Sequence, residues 1–359
     1  MASHTDKAKH LKLPAMSRRS LLLALPAMPL AMRAMAQQAG AQPIPTTGLH
    51  SFELRVSDLD RSVEFYQGLF GCPVLTRIGD TVSLGVGNDG QYFTLAQVRE
   101  GEQPNISNFG LRVPGYTRYQ LQSLLSEHGI NRTVDSFYDS RTSAMQRANM
   151  TWLRRLPGES DTMLADNHEL FVADRDGVPI KLSSPDDCGA GDESCTPEPA
   201  PTEGLIELRE INHLTTFVAN YQLSNEFYRR LFGLENQAFQ AQFPTLGLGN
   251  GTQFLMFVGG MQDGVPAQTG RIDHVSLNME NFTVASVLER LTEYGLSPRG
   301  DGEPAPLQHW VTMRMPERGG AEPDGTPEVY FSDPDGLHLQ LQHHTYCGGG
   351  DEFGGTCNA

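Results

Sequence analysis

The sequence predicts a mixed α+β protein that contains two copies of one domain. The heptapeptide FYQGLFG at 65–71 recurs 162 residues later as FYRRLFG at 227–233, and the same offset relates LGVGN at 84–88 to LGLGN at 246–250. Several similar segments at one offset indicate an internal duplication. In both copies, stretches with period-two alternation lead into stretches with helical periodicity, which predicts strands followed by helices.

Each copy is predicted to hold two strand-then-helix modules. In the second copy, alternation over 211–218 predicts a strand that leads to a helix over 223–232. A second alternating stretch, 272–279, leads to a helix over 284–294. Each copy is therefore itself a pair of short modules.

The repeat and the composition between its copies give the domain boundaries. The segment 186–203 is rich in Pro, Gly, Asp and Glu, which is typical of a linker. We predict a signal segment, a first domain, a linker, a second domain and a tail, at 1–36, 43–187, 188–204, 205–346 and 347–359 respectively.

The N-terminal segment has the layout of a signal peptide. Adjacent Arg18 and Arg19 precede a moderately apolar run over 21–32, and Ala34-Met35-Ala36 follows as a small-residue cleavage site. A transmembrane helix is disfavoured because the run is short and contains two prolines. The arginine pair resembles a twin-arginine signal, so we expect export to the periplasm or secretion.

Four of the five cysteines form two similarly spaced pairs. Cys188 and Cys195 bracket a short Gly- and Asp-containing segment, and so do Cys347 and Cys357. In an oxidising compartment each pair is predicted to close a disulfide, which contributes about 2–3 kcal/mol in the chain-entropy model. The spacing lacks a CxxC knuckle, which disfavours a metal-thiolate site. Cys72 is expected to be a buried thiol.

Charge excludes several classes of partner. The formal net charge is −16 at pH 7, and no cluster of Lys and Arg follows residue 33. Nucleic acid binding is therefore excluded, and stable association with an anionic membrane surface is disfavoured. The sequence has neither a Gly-x-Ser-x-Gly elbow nor a phosphate-binding loop. A small molecule remains the expected partner, and a homo-oligomer stays open.

Two further motifs indicate a family. The segments VSDLDRSVEFY at 56–66 and FSDPDG at 331–336, with the helix ending in Phe-Tyr and Leu-Phe-Gly, resemble the vicinal-oxygen-chelate superfamily. This superfamily includes glyoxalase I, extradiol ring-cleaving dioxygenases, and fosfomycin and bleomycin resistance proteins. The resemblance implies four βαβββ modules paired into two homologous, cup-shaped half-barrel domains.

Strand parity identifies the residues that line the second cup. Leucines alternate with polar residues over 337–344, and the leucines are expected to pack against a helix. The polar face then carries His338 and Gln340. The same reasoning places His213 and His274 in this cup.

The extradiol-type pattern of the superfamily sharpens that set. Its ligand positions correspond to His213, His274 and Gln340, where the family usually has a glutamate in place of the glutamine. His338 is the alternative third ligand. The resemblance implies a divalent ion, Fe²⁺ or Mn²⁺ first, with Zn²⁺ or Ni²⁺ as alternatives.

The same resemblance suggests catalytic residues. Tyr330 matches the position of an active-site tyrosine, and His309 is the candidate to replace the family's acid/base histidine, which is missing near 259–262. The expected activity is that of an exported metal-dependent oxidoreductase acting on a small catechol-like aromatic. The alternatives are a ligand-sequestering protein of the bleomycin-resistance type and an isomerase or lyase of the glyoxalase type.

The first cup has a different character. Ser51, Asn108 and Lys181 stand at its equivalent positions, so no metal set is expected there. The inward parity of Glu53 is shared with three cations, Arg55, Arg112 and Lys181. These groups are expected to form an internal salt-bridge network, with a small anion pocket as the alternative. His50 is expected to point towards the helices.

Overall fold

The structure is a computed structural model that describes residues 42–134, 148–155, 168–189, 195–249, 251–260 and 267–357. The predicted signal segment at 1–36 lies outside the described residues. None of the described helices is long and apolar enough to span a membrane.

In its described part, the first half folds into a single sheet with strand order β2-β3-β4-β1-β5-β9-β8-β7-β6. Two helices connect its strands. The elements are β1 Gly48–Val56, α1 Leu59–Phe70, β2 Val74–Ile78, β3 Thr81–Val86, β4 Gln91–Gln97, β5 Asn105–Arg112, α2 Arg118–Glu127, β6 Arg132–Val134, β7 Met150–Arg155, β8 His168–Ala173 and β9 Pro179–Ser183.

The second half repeats this topology in the order β11-β12-β13-β10-β14-β18-β17-β16-β15. Its elements are β10 Leu208–Phe217, α3 Tyr221–Phe232, β11 Asn236–Gln240, β12 Phe243–Gly247, β13 Phe254–Val258, β14 Arg271–Met279, α4 Val284–Glu293, β15 Ser297–Pro298, β16 Gln308–Arg314, a 3₁₀ turn at Pro316–Arg318, β17 Thr326–Ser332 and β18 His338–His343. The predicted duplicated α+β fold is confirmed. The second module of each half adds a short edge strand, β6 or β15.

The repeated heptapeptide forms the end of helices α1 and α3. Its aromatic and leucine residues are buried, and the glycine that follows each helix, Gly71 or Gly233, has a φ of 66° or 69°. This left-handed conformation favours glycine because a Cβ would be strained there. Asp58 and Asn220 cap the opposite ends through their side chains.

One face of each sheet packs into the core. In the second sheet, Leu214, Val275 and Leu339 are neighbours in register, and each is fully buried in the main hydrophobic cluster. Strand residues alternate between faces, so the polar residues between them point to the other side. We call that side of each curled sheet the cup face.

The two halves share one core. Phe65 and Phe70 of helix α1 pack against Phe331 of the second sheet. The Tyr66 hydroxyl donates to Asp333 Oδ2 at 3.0 Å, and the Tyr228 hydroxyl donates to Asp174 Oδ2 at 3.1 Å. Each half therefore supplies a helix tyrosine to a turn of the other.

Both predicted disulfides are present, Cys188–Cys195 and Cys347–Cys357. Cys72 is buried and free, and burial raises its pKa to about 12. It is an inert core thiol.

Candidate metal centre

One row of side chains crosses the cup face of the second sheet. Residues aligned in register on neighbouring strands point to the same side. From β13 to β16 this row contains Phe254, His213, Ser276, Gln340, Tyr330 and Trp310. The adjacent row contains Thr215, His274 and His338. The structure thus brings His213, His274, His338, Gln340 and Tyr330 to one face.

His213 is held by its neighbours on three sides. It is 2% exposed, and its ring stacks on Phe254 and Tyr346 with centroid distances of 4.3 and 5.4 Å. Its Nδ1 lies 2.7 Å from Asn212 Oδ1. Because that oxygen is an acceptor, Nδ1 carries the proton and Nε2 keeps its lone pair. Burial lowers the pKa of His213 well below its ordinary value, so the ring stays neutral.

His274 repeats this arrangement on the neighbouring strand. Its Nδ1 lies 2.9 Å from Asp273 Oδ2, and its ring meets that of His213 edge-on at 5.7 Å. A carboxylate on Nδ1 fixes the tautomer and the orientation of the ring, which is the usual support of a metal-binding histidine. Both rings therefore present Nε2 as an available ligand atom.

Gln340 has unused hydrogen-bonding capacity in the same region. It is 1% exposed, and neither its Oε1 nor its Nε2 makes a hydrogen bond of ordinary geometry among the described residues, although the amide is close enough to His213 to favour the charged form of that ring. Three further buried atoms on β14 and β18 share this property: Ser276 Oγ, Asn278 Oδ1 and Gln342 Nε2. An unsatisfied buried polar group costs about 1–3 kcal/mol, so these atoms offer hydrogen bonds to a bound water, ion or polar ligand.

The chemistry of these donors fits a divalent metal ion. Two neutral imidazole nitrogens and an amide oxygen are ligands that Fe²⁺, Mn²⁺, Zn²⁺ and Ni²⁺ accept. Within the described ranges, no three His, Cys, Asp or Glu side chains come together in a way that could hold a metal. His338 therefore does not complete a three-histidine set with His213 and His274, and Gln340 is the third candidate ligand.

Tyr330 lines the cup beside His274, as predicted. Its ring meets His274 edge-on at 5.2 Å and stacks on Trp310 at 5.5 Å. Its hydroxyl donates to Glu328 Oε2 at 3.3 Å, and burial raises its pKa well above 10. Glu328 also accepts from Arg314 Nε at 3.0 Å. The Tyr330 hydroxyl is thus neutral, and its hydrogen bond to Glu328 fixes its position.

The assignment of His309 to the cup is wrong. His309 pairs in register with Phe331, which belongs to the core face, and its Nε2 lies 3.0 Å from Thr292 Oγ1 on helix α4. The ring therefore faces the helix layer. Trp310, the next residue, takes the cup face.

The first cup is filled by charge pairs, as the sequence predicted. Lys181 Nζ lies 2.5 Å from Glu169 Oε1 and 2.7 Å from Asp187 Oδ2. Lys181 aligns with Gln340 of the second half, so an ammonium group stands where the other cup offers a neutral amide. Arg154 then bridges Glu169 to Glu53, with both distances 2.5 Å.

Glu53 is stabilised in its ionised form within this network. Arg55 Nε lies 3.1 Å from its Oε1. Burial alone raises the pKa of Glu53, but Arg154 and Arg55 outweigh burial and lower the pKa to about 2. The carboxylate is therefore charged at neutral pH.

Two expectations for the first cup need correction. Arg112 does not join the salt bridges, because its Nε bonds to His50 Nδ1 at 3.2 Å and its Nη2 bonds to the Asp89 carbonyl. His50 does not face the helices. Its ring meets Tyr92 edge-on at 5.4 Å and its Nε2 lies 2.7 Å from the Asp187 carbonyl oxygen.

A cavity of about 630 Å³ lies at the junction of the two halves, and it reaches the residues beside the candidate ligands but none of the ligands themselves. Asp273 and His338 lie on its wall, and Phe217, Leu337 and Ile106 contribute apolar surface. Another cavity, of about 440 Å³, lies in the first half near Tyr116 and Lys181. Lys181 in this smaller cavity is already paired with Glu169 and Asp187. The 630 Å³ cavity is therefore the better candidate for a substrate.

Sequence reasoning missed the residues that support the histidines. Asn212 and Asp273 directly precede His213 and His274, so each ligand position is part of a polar-residue–His pair. Tyr346 directly precedes Cys347, which ties it to the disulfide. Glu328 and Arg154 gave no comparable local indication.

Comparison with known proteins agrees with this fold. Residues 48–182 match the model of the Glyoxalase/Bleomycin resistance protein/Dioxygenase superfamily. None of the curated proteins matches the chain in sequence.

Solved structures match over both halves. A catechol 2,3-dioxygenase superposes with a TM-score of 0.54 at 16% identity, over 83% of this chain and 88% of the other. Homoprotocatechuate 2,3-dioxygenase from Arthrobacter globiformis gives 0.53 at 14% identity, over 85% and 81%. The 2,3-dioxygenase LapB from Pseudomonas sp. KL28 gives 0.52 at 15% identity, over 83% and 92%.

These likenesses establish the fold, and the family model establishes the relationship of the first half. The first half matches the Glyoxalase/Bleomycin resistance/Dioxygenase superfamily, and the described chain has the two-domain fold of the solved extradiol dioxygenases.

Proposed function

We propose that the protein is a divalent-metal-dependent oxidoreductase of the extradiol type that acts on a small catechol-like aromatic. The observation that carries this proposal is the pair His213 and His274 beside Gln340. Both histidines have Nδ1 bonded to a fixed acceptor, while the buried Gln340 amide lies near His213 and makes no hydrogen bond of ordinary geometry in the described part of the chain. Similarity to catechol and homoprotocatechuate 2,3-dioxygenases supports the substrate class.

His213, His274 and Gln340 would hold the ion in this proposal. A divalent ion bound there supplies Lewis acidity and a point at which an aromatic diol and dioxygen meet. Asn212 and Asp273 keep both imidazoles in one tautomer, and the stacked Phe254 and Tyr346 rings keep His213 from rotating. Gln340 adds no negative charge, so the site would remain more electrophilic than one with a carboxylate.

An aromatic substrate would enter from the cavity beside His338. Trp310 and Tyr330 offer an apolar wall, and the Tyr330 hydroxyl, backed by Glu328, is placed to orient a substrate oxygen. His338 is half-buried on the cup face and lies against Trp310 at 5.2 Å. Burial lowers its pKa below the ordinary value. We assign His338, in place of His309, the role of holding or moving the substrate proton.

We also propose that the protein is exported. The twin-arginine-like segment at 18–19 and the cleavage site at 34–36 support this, and so do the two disulfides, which persist in oxidising compartments. N-terminal sequencing of periplasmic material should give a chain that begins near Gln37. A full-length chain retained in the cytoplasm contradicts export.

The activity is tested by anaerobic reconstitution with Fe²⁺ followed by oxygen uptake on a panel of catechols. We expect uptake together with a ring-cleavage chromophore, and loss of both in His213→Ala. Ser51→Ala, at the equivalent position of the first half, is the matched control and should keep full activity. Metal-loaded protein that consumes no oxygen with any catechol contradicts ring cleavage.

The second candidate function is sequestration of a small aromatic ligand. The closed stacking of Phe254 and Tyr346 on His213, and the neutral third ligand Gln340, favour it. In that case, a catechol should bind stoichiometrically in calorimetry and be recovered unchanged in air. The two functions are therefore separated by product analysis.

A further inference from the structure

The end of the chain packs directly on the candidate metal site. Residues 346–357, which contain the Cys347–Cys357 disulfide, are called here the C-terminal staple. Its first residue, Tyr346, is 1% exposed and stacks on His213. The Tyr346 hydroxyl donates to Glu328 Oε1 at 2.9 Å. Glu328 also accepts from the Tyr330 hydroxyl, so one carboxylate connects the staple to a tyrosine that lines the cup.

Asn212 connects the staple to His213 through its two amide atoms. Its Nδ2 donates to the Tyr346 carbonyl oxygen at 2.8 Å, and its Oδ1 accepts from His213 Nδ1 at 2.7 Å. The amide plane fixes these two bonds relative to each other. A displacement of the Tyr346 backbone would therefore turn Asn212 and release the His213 ring.

The staple is anchored at several points around this contact. Arg314 Nη2 donates to the Gly349 carbonyl at 2.8 Å, and Gln237 Nε2 donates to the Cys347 carbonyl at 3.1 Å. Gly354 has a φ of 67°, and a Cβ there would lie 2.4 Å from the Tyr346 ring. The loop thus lies close against Tyr346, and its glycine is required for that approach.

The first half contains the same link at the equivalent place. His50 aligns with Asn212, and its Nε2 lies 2.7 Å from the carbonyl oxygen of Asp187, the residue before Cys188. Asp187 aligns with Tyr346, and its carboxylate contacts Lys181 in the first cup. A side chain of the first strand therefore bonds to the residue before a disulfide in both halves, which indicates a built feature of the duplicated fold.

We propose that the C-terminal staple, acting through Asn212, positions His213, so that metal affinity depends on the closed Cys347–Cys357 disulfide. Asn212 is a positioning residue in this account. The inference rests on the proposed metal site, and it adds that a covalent bond outside the ligand set tunes that site. Loss of a supporting partner of a metal histidine typically lowers affinity by about 10- to 100-fold.

The test is titration of the full chain with Co²⁺, following both affinity and the ligand-field spectrum. Opening the staple in Cys347→Ser/Cys357→Ser should weaken binding about 10- to 100-fold. The matched control is Cys188→Ser/Cys195→Ser, which opens the first-half disulfide and should leave the affinity unchanged. Circular dichroism before titration confirms that both variants are folded.

A second arm leaves the disulfide closed. Asn212→Ala should weaken Co²⁺ binding to a similar extent, and combining it with the open staple should cause little additional loss, because both changes remove one link. Equal affinity in wild type and the open-staple variant overturns the inference while leaving the metal site in place. Fully additive losses also overturn it, since the staple would then not act through Asn212. A wild type that binds no Co²⁺ overturns the metal site and this inference together.

Discussion

Gln91 and Gln253 exchange backbone hydrogen bonds across the junction of the two halves. Gln91 Nε2 donates to the Leu49 carbonyl at 2.8 Å, and its Oε1 accepts from Ile211 N at 2.9 Å. Gln253 does the reverse, donating to the Ile211 carbonyl at 2.6 Å and accepting from Leu49 N at 2.9 Å. The two duplicated domains are thus joined by one glutamine from each.

Removing either glutamine should destabilise the whole protein. Gln91→Ala or Gln253→Ala leaves a buried N–H and a buried carbonyl without partners, so we expect a loss of about 2–5 kcal/mol in the free energy of unfolding. Chemical denaturation measures it. Gln103→Ala, at an exposed position, is the control. A loss no larger than that of Gln103→Ala shows that the bridges do not stabilise the junction.

Lys181 should be essential to the fold of the first half. In Lys181→Met the carboxylates of Glu169 and Asp187 lose their shared cation, and an uncompensated buried charge costs about 3–5 kcal/mol. Adding Glu169→Gln removes one of these charges and should restore part of the stability. Thermal melts of the two variants decide the matter, and no difference between them contradicts the proposed ion pairs.

The stability contributed by Asp174 and Asp333 should fall as pH rises from 4 to 7. Burial raises their pKa values from 3.8 to about 7 and about 6. Because the folded values exceed the unfolded value, the protonated carboxyls favour the fold, and that contribution is lost as pH rises through the folded values. Asp174→Asn and Asp333→Asn should remove this contribution, so the stability of both variants should rise more, or fall less, with pH than that of the wild type.

The comparison with wild type isolates these two groups. Burial lowers the pKa of five histidines, so they change stability in the opposite direction below pH 6.5, but equally in wild type and variants. They are His50, whose pKa falls to about 4, and His213, His309, His338 and His343. Unfolding midpoints at half-unit pH intervals give the two slopes. Parallel profiles in wild type and both Asn variants would show that neither carboxyl titrates as described.

Gln340→Glu should bind a divalent ion more tightly than the wild type. A carboxylate is a stronger ligand for Fe²⁺ or Mn²⁺ than an amide oxygen. Without metal, the same substitution buries an unpaired charge and should lower the melting temperature. The signature is therefore a larger increase in melting temperature on adding Mn²⁺. Gln340→Met should bind more weakly, and an equal Mn²⁺ response in all three proteins would exclude position 340 as a ligand.

Strand alternation accounts for what the sequence predicted at the site. His213, His274 and Gln340 were placed on one face because leucines and valines on the same strands had to face the core. The prediction for His50 failed because the β1–β5 pairing shifts register between Leu49 and Ser51. At a bulge two consecutive residues stop alternating, and no local pattern marks that position.

His309 shows a different limit. Its strand alternates, but the core-facing set is decided by pairing with Phe331 on β17, which is a contact between distant segments. The same holds for Asn212, whose partner Tyr346 lies 134 residues away. Alternation along a strand divides its residues between two faces. Only the register with the neighbouring strands shows which face packs into the core and which lines the cup.

The most direct test of the account is the metal stoichiometry and affinity of the full chain, measured by anaerobic Fe²⁺ titration and elemental analysis. We predict one ion per chain in wild type and in Ser51→Ala, and almost none in His213→Ala or His274→Ala. Full metal content in either histidine variant, or no metal in the wild type under the same conditions, would contradict the assignment of the second cup as a metal centre.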